Sequence, residues 1–112
     1  DGHWQGTRLI PPPVMAWCCT PRIQAQDAVL HMTNRFSAGF MMDPLDAGGA
    51  KLRQSFGPGP RAFGHPGAGG RIGFADPETG FAAAYACNAL VWDGITPDPR
   101  WTWCNALREI VL

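Results

Sequence analysis

Phe63-Gly64-His65-Pro66-Gly67-Ala68-Gly69-Gly70-Arg71-Ile72-Gly73-Phe74-Ala75-Asp76-Pro77-Glu78-Thr79-Gly80 sets a glycine-rich corner between two short apolar arms and follows them with a tight turn. Residues 61–65 read as a first strand and 71–76 as a second, joined at Gly67-Ala68-Gly69-Gly70. Asp76 to Gly80 carries turn residues, with a glycine available for a positive φ. Residues 81–87 form the third arm, in which Phe81, Ala83, Tyr85 and Cys87 alternate with alanines. Alanine favours helix by intrinsic propensity. A short run between turn signals, directly after a hairpin, nevertheless reads as a strand. The glycines do not make a phosphate loop, because Ile72 occupies the third glycine position of a G-x-G-x-x-G alignment and no helix follows directly.

Downstream, Asp98 is a helix cap and Pro99 suits a first helical turn. Trp103, Cys104, Leu107, Ile110 and Val111 then fall on one stripe. A helix over 98–112 is expected on one face of the three strands, with Trp103, Leu107 and Ile110 against Phe74, Phe81 or Tyr85. Upstream, 36–42 reads as a strand with Phe36, Ala38, Phe40 and Met42 on one side. Residues 46–60, rich in glycine and proline, read as a surface loop. Pro11 to Cys19 reads as a short helix stopped at Thr20-Pro21, and 22–34 as a polar connecting loop. Antiparallel strands with a packed C-terminal helix make an α+β layer.

Composition removes several classes of function. The chain has 112 residues and a formal net charge of zero, so it lacks the basic footprint of a nucleic-acid or anionic-membrane binder. Its apolar fraction of 46% argues against disorder. The longest apolar run, 81–87, is too short to span a bilayer, and no signal peptide is visible at the N-terminus. Cys18, Cys19, Cys87 and Cys104 contain no C-x-x-C pair and are expected as free, mostly buried thiols, which favours a cytoplasmic setting. His3, His31 and His65 lack the short-range partners of a zinc site, so neither metal nor cofactor is expected. The five tryptophans are scattered and read as core and interface packing rather than a base-stacking platform.

The run Gly64-His65-Pro66-Gly67-Ala68-Gly69-Gly70 through Gly73-Phe74-Ala75-Asp76-Pro77 resembles the G-H-x-G-x-G-G-x-x-G-F-A-D-P motif of the serine β-lactamase-related superfamily. That superfamily includes class C-like β-lactamases, penicillin-binding proteins and family VIII-type esterases. Arg35-Phe36 through Phe40-Met41 is similar to the R-F-G-L-G-F strand of its esterase-like members, and Tyr85 with Asn88 to the A-Y-V-M-N close of a later strand. Arg8-Leu9-Ile10 with the following prolines, and Pro99-Arg100 with the last helix, extend the resemblance over nearly the whole chain. The resemblance implies the C-terminal portion, residues 1–112, of one serine hydrolase domain with a β-lactamase/transpeptidase-like fold. A serine attacks an ester or β-lactam carbonyl and an acyl-enzyme is hydrolysed by water. His65 and Gly67 lie in the K-T-G or H-x-G triplet bordering the cleft, and the Ala68 N–H is the expected oxyanion donor. The implied partner is a small ester or lactam substrate.

The departures from the family pattern are as informative. Lys51 is the only lysine, and Gly48 stands where an S-x-x-K serine would be. Ser37 and Ser55 are the only serines and neither sits in a G-x-S-x-G elbow. Tyr85 opens no Y-x-N, and at an interior strand position it reads as core. Pro66 replaces the threonine of K-T-G and removes its hydroxyl, which shifts the expectation toward esters over β-lactams. The nucleophile is therefore expected upstream of Asp1, and the chain alone is expected to be inactive. Two alternatives remain open: a non-catalytic binding or scaffold protein on the same fold, and an independent small α+β interaction domain.

Overall fold

A computed structural model of the chain describes residues 2–89, 103 and 106–110. A two-stranded hairpin opens it, β1 (His3–Trp4) and β2 (Thr7–Arg8), followed by α1 (Pro12–Cys19). The strands β3 (Ile23–Gln26), β4 (Thr33–Phe36), β5 (Met41–Met42), β6 (Phe63–Gly67), β7 (Arg71–Asp76) and β8 (Phe81–Tyr85) then form one sheet. Among the described residues this sheet is six-stranded, lies in sequence order and is antiparallel throughout. The three strands read around the glycine corner are all present. The first is shifted to Phe63–Gly67, and the third ends at Tyr85.

The cross-strand register sorts the side chains onto two faces. Met41, Gly64, Phe74 and Ala83 are successive partners across β5–β8, and Phe36 faces Met41. With Phe56, Ala62 and Ile72 they build one apolar cluster, flanked by Phe81 and Tyr85. The opposite row runs Met42, Phe63 and Ala75, and α1 covers it with Cys18 and Cys19. Helix α1 begins on prolines in its first turn, where a missing N–H costs nothing, and takes no side-chain cap. It ends at Thr20, whose hydroxyl donates to the Ala16 carbonyl at 2.7 Å.

Three expectations are corrected. Residues 22–34 are not a loop but contain the β3–β4 hairpin. Every residue of β3 is exposed, so no apolar alternation marks it in the sequence. Polar contacts hold it instead. The Asp27 carboxylate accepts from the Val29 and Leu30 N–H groups at 2.8 Å each and from the Asn34 amide at 3.0 Å. The Gln24 amide donates to the Leu45 carbonyl at 2.7 Å and accepts from the Leu45 N–H at 2.9 Å, imitating a ladder pair.

Residues 36–42 are not one strand. Gly39, at φ +90°, turns the chain between β4 and β5, and the Ser37 N–H meets the Phe40 carbonyl at 2.9 Å. Phe36 consequently joins the Phe56 cluster while Phe40 and Met42 join that of α1, on the other face.

The third correction concerns 46–60, which is a surface loop only in its first half; Ser55, Phe56, Gly57 and Gly59 are buried. Buried backbone N–H groups need acceptors, and two buried carboxylates provide them. Asp43 accepts from the Ser55 and Phe56 N–H groups at 2.8 and 3.2 Å, and Asp76 from the Gly59 N–H at 2.9 Å. The Lys51 ammonium neutralises Asp43 at 3.1 Å and donates to the Gly57 carbonyl at 2.6 Å. The Arg35 guanidinium reaches the Asp43 and Pro60 carbonyls at 3.3 and 3.4 Å.

Of the expected last helix, Trp103 and residues 106–110 are helical, and Asp98 and Pro99 lie outside the described residues. The Trp103 ring meets Tyr85 with centroids 5.0 Å apart, on the expected side. Ile110 departs from the expectation, being 80% exposed.

Two outcomes test this account. Asp43→Ala strands the Lys51 charge and two N–H groups, so urea unfolding should show a loss of about 3–5 kcal/mol, the cost of breaking a buried pair. The hydrogen bonds from Leu30, Val29 and Asn34 hold the Asp27 carboxyl below its ordinary 3.8. A depressed carboxylate contributes stability above its unfolded pKa and loses it as pH falls through the folded one. The Tm advantage of wild type over Asp27→Asn should therefore be full at pH 6 and shrink steadily below pH 4.

Candidate functional site

The expected site residues lie at the end of β6 and in the turn beyond it. Ladder pairing sets His65 opposite Gly73, Pro66 opposite Ile72 and Gly67 opposite Arg71. His65 shares a face with Phe63, two residues away, and so lies on the face that α1 covers farther along the strand. Beyond Phe63 that face carries small residues around His65, with the exposed Arg71 at its far end. Gly73, Ala82 and Ala84 are exposed, and a β-carbon at Gly73 would meet nothing within 4 Å. His65 thus borders an open, shallow shelf, with bare backbone along one side.

The imidazole Nδ1 of His65 lies 2.7 Å from the Pro66 carbonyl oxygen. A carbonyl only accepts, so Nδ1 carries the proton. With Nδ1 engaged in this way, Nε2 is the ring nitrogen that the exposed side chain leaves open to a ligand. Ala68, also exposed, is the first residue past the strand, and its carbonyl accepts from Arg71 Nη1 at 3.2 Å. Gly69 and Gly70 complete the turn at φ +81° and +100°, conformations that favour glycine. The Cys87 thiol lies behind them, with Sγ 3.2 Å from the Gly69 carbonyl, 3.6 Å from that of Gly70 and 3.0 Å from that of Ala89.

Gly64 explains why the strand can lie where it does. A β-carbon there would stand 2.7 Å from Phe74 Cβ and 2.8 Å from Phe56 Cδ1, and would overlap the Gly73 carbonyl oxygen. Only glycine lets β6 settle onto Phe56, which is 1% exposed. The buried row Phe56, Gly64 and Phe74 is a rigid backing for the strand that carries His65.

The other nucleophile and base candidates are engaged elsewhere. Ser37 is buried in the β4–β5 turn with its hydroxyl 3.4 Å from the Phe40 carbonyl. Ser55 is buried in the loop fastened to Asp43. Lys51 is held by its ion pair, and Tyr85 packs with Trp103 and the Phe74 cluster on the face opposite His65. Burial pushes the Cys19 thiol up from its ordinary value, with Arg61 opposing, which makes it a poor nucleophile. Sequence reasoning missed Asp43, Asp76, Arg71 and Cys87 as organisers of this region. Asp43 and Asp76 left a trace, as acids that close apolar strands. Among the described residues no group of three or more His, Cys, Asp or Glu side chains is placed to hold a metal, and no helix is long and apolar enough to cross a membrane.

No protein-family model matches the chain, and no curated protein matches it significantly. Among solved structures it is similar to a family VIII carboxylesterase, with 31% identity and a TM-score of 0.80 over 99% of its own length. The chain spans 28% of the length of that carboxylesterase. Its fold is thus a mixed α+β arrangement that matches part of a β-lactamase-like esterase.

Proposed function

We propose that this chain is the C-terminal portion of a serine hydrolase that cleaves ester bonds through an acyl-enzyme. The observation that carries the reading is the similarity at 31% identity to a family VIII carboxylesterase over 99% of the chain, including the strand of His65. Exposed apolar residues support it as a part of something larger. Trp4 and Trp17 are 63% and 61% exposed, and β8 is an edge of the sheet among the described residues.

In this reading a serine from the rest of the protein approaches the open shelf beside β6. Its oxygen forms a bond to the acyl carbon, and the carbonyl oxygen takes up negative charge. The Ala68 N–H, at the mouth of the corner, donates to that oxygen, where the charge exists only in the transition state. A base from the rest of the protein takes the serine proton and hands it to the alcohol as collapse breaks the ester C–O bond, and water, deprotonated in the same way, attacks the acyl-enzyme to release the acid and restore the serine. Nε2 of His65 faces the same shelf and accepts a hydrogen bond from the attacking group or water, which orients it. Pro66 offers no hydroxyl for a lactam carboxylate, so neutral esters are the preferred substrates.

The chain alone should show no stoichiometric acylation by p-nitrophenyl butyrate. Joined to the nucleophile-bearing part of the carboxylesterase it resembles, it should give measurable turnover. In that protein His65→Ala should lower kcat by about ten- to a thousandfold, the scale of one polar catalytic contact. Tm should hardly move, because an exposed side chain leaves few contacts behind. Titratable acylation of the chain alone, or an unchanged kcat in the variant, would contradict the reading.

A further inference from the structure

We infer that Cys87 and Arg71 are positioning residues that hold the Ala68-Gly69-Gly70 corner in one conformation, so that the Ala68 amide is aimed before substrate arrives. The inference rests on the reading of Ala68 as the oxyanion donor and goes beyond it by naming what fixes that donor. Two consecutive glycines at positive φ are the least constrained backbone a chain can have. A donor beside such a pair is useful only where its peptide planes are held, since a misplaced dipole must reorganise during the reaction.

The peptide that carries the Ala68 N–H lies between the ladder-paired Gly67 and an Ala68 carbonyl that is itself held, and the Gly69 and Gly70 carbonyls are held as well. Ladder pairing of Gly67 with Arg71 fixes the chain before Ala68. The Arg71 guanidinium holds the Ala68 carbonyl at 3.2 Å, which fixes the peptide after it. Cys87 Sγ lies 3.2 Å from the Gly69 carbonyl and 3.6 Å from that of Gly70. In a trans peptide the N–H points opposite to the C=O. The Gly69 and Gly70 amides are therefore turned away from the Arg71 guanidinium and the Cys87 thiol.

The thiol acts by volume as well as by hydrogen bonding. A β-carbon at Gly70 would lie 3.2 Å from Sγ, so the sulfur fills the space behind the turn. Its single proton serves one of three carbonyls at a time. Cys87 comes from the segment after β8 and Arg71 from β7, so the corner is braced from two directions.

Two readouts on Cys87→Ala, Cys87→Ser and Arg71→Ala test this. In the ¹⁵N-labelled 112-residue chain, Cys87→Ala should shift the Ala68, Gly69 and Gly70 amide resonances and speed their hydrogen exchange, leaving the β6–β7 ladder amides unchanged. In the active protein joined to the carboxylesterase nucleophile, Cys87→Ala and Arg71→Ala should each lower kcat about tenfold with KM nearly constant. That is part of the hundred- to thousandfold lost with a whole oxyanion donor. Cys87→Ser, which restores a donor, should recover kcat to within about threefold of wild type. Corner amides that do not move in Cys87→Ala, or a kcat that stays at the wild-type value, would overturn the inference. If the wild-type joined protein is inactive, the hydrolase reading fails, and the amide measurement alone decides whether Cys87 holds the corner. A variant that merely unfolds would disturb ladder and corner amides alike and would not be rescued by serine.

Discussion

Phe56 lies against the bare backbone of Gly64, and the arrangement around the candidate cleft strand depends on that contact. With a β-carbon at Gly64 the phenyl ring, Phe74 and the Gly73 carbonyl would all have to move. Without Phe56 the strand would have no backing where it turns toward His65. Close packing of this kind transmits small displacements rather than absorbing them. The geometry at His65 and Ala68 is thus set from behind the strand.

Phe56 is itself held by charge. It comes from a glycine- and proline-rich segment with little capacity to order itself, and two buried acids order it. Asp43 binds the amides of Ser55 and Phe56, and Asp76 binds that of Gly59. Gly57 and Gly59 are pressed so closely to Asp76 that a β-carbon at Gly57 would lie 2.6 Å from its Oδ2, and one at Gly59 would overlap Oδ1. Nearby, Arg61 and Glu78 form an ion pair at 2.5 Å across the same end of the sheet. Partial burial works against the Glu78 charge, but the hydrogen bond from Arg61 keeps its carboxyl below the usual range. An exposed pair contributes little, and the buried acids are the fastening.

The strands around the glycine corner were legible in the sequence because their apolar alternation and turn residues agree with the tertiary packing. The short helix was legible for the same reason, from its prolines and its stop at Thr20-Pro21. The β3–β4 hairpin was not, since Ile23-Gln24-Ala25-Gln26 is exposed on both sides and is held by the Gln24 and Asp27 side chains, whose partners are set only by the fold. The single strand expected over 36–42 failed because one glycine reversed the chain and moved Phe40 and Met42 to the opposite face from Phe36. At the candidate site, His65, Gly67 and Ala68 were singled out through a motif, and their role is a proposal. Arg71 and Cys87 acquire their roles from where two other segments cross the corner, and no spacing in the sequence records that.

The central claim is that β6 and its corner form one wall of an acyl-transfer site. It is tested most directly by the structure of the chain joined to a nucleophile-bearing carboxylesterase part, after reaction with a phosphonate ester that labels the serine. The account predicts a phosphonyl oxygen within hydrogen-bond distance of the Ala68 N–H, and the His65 ring facing the adduct across the shelf of Gly73 and Ala84. A labelled serine whose phosphonyl oxygen is bound by amides elsewhere, with β6 outside the pocket, would contradict it.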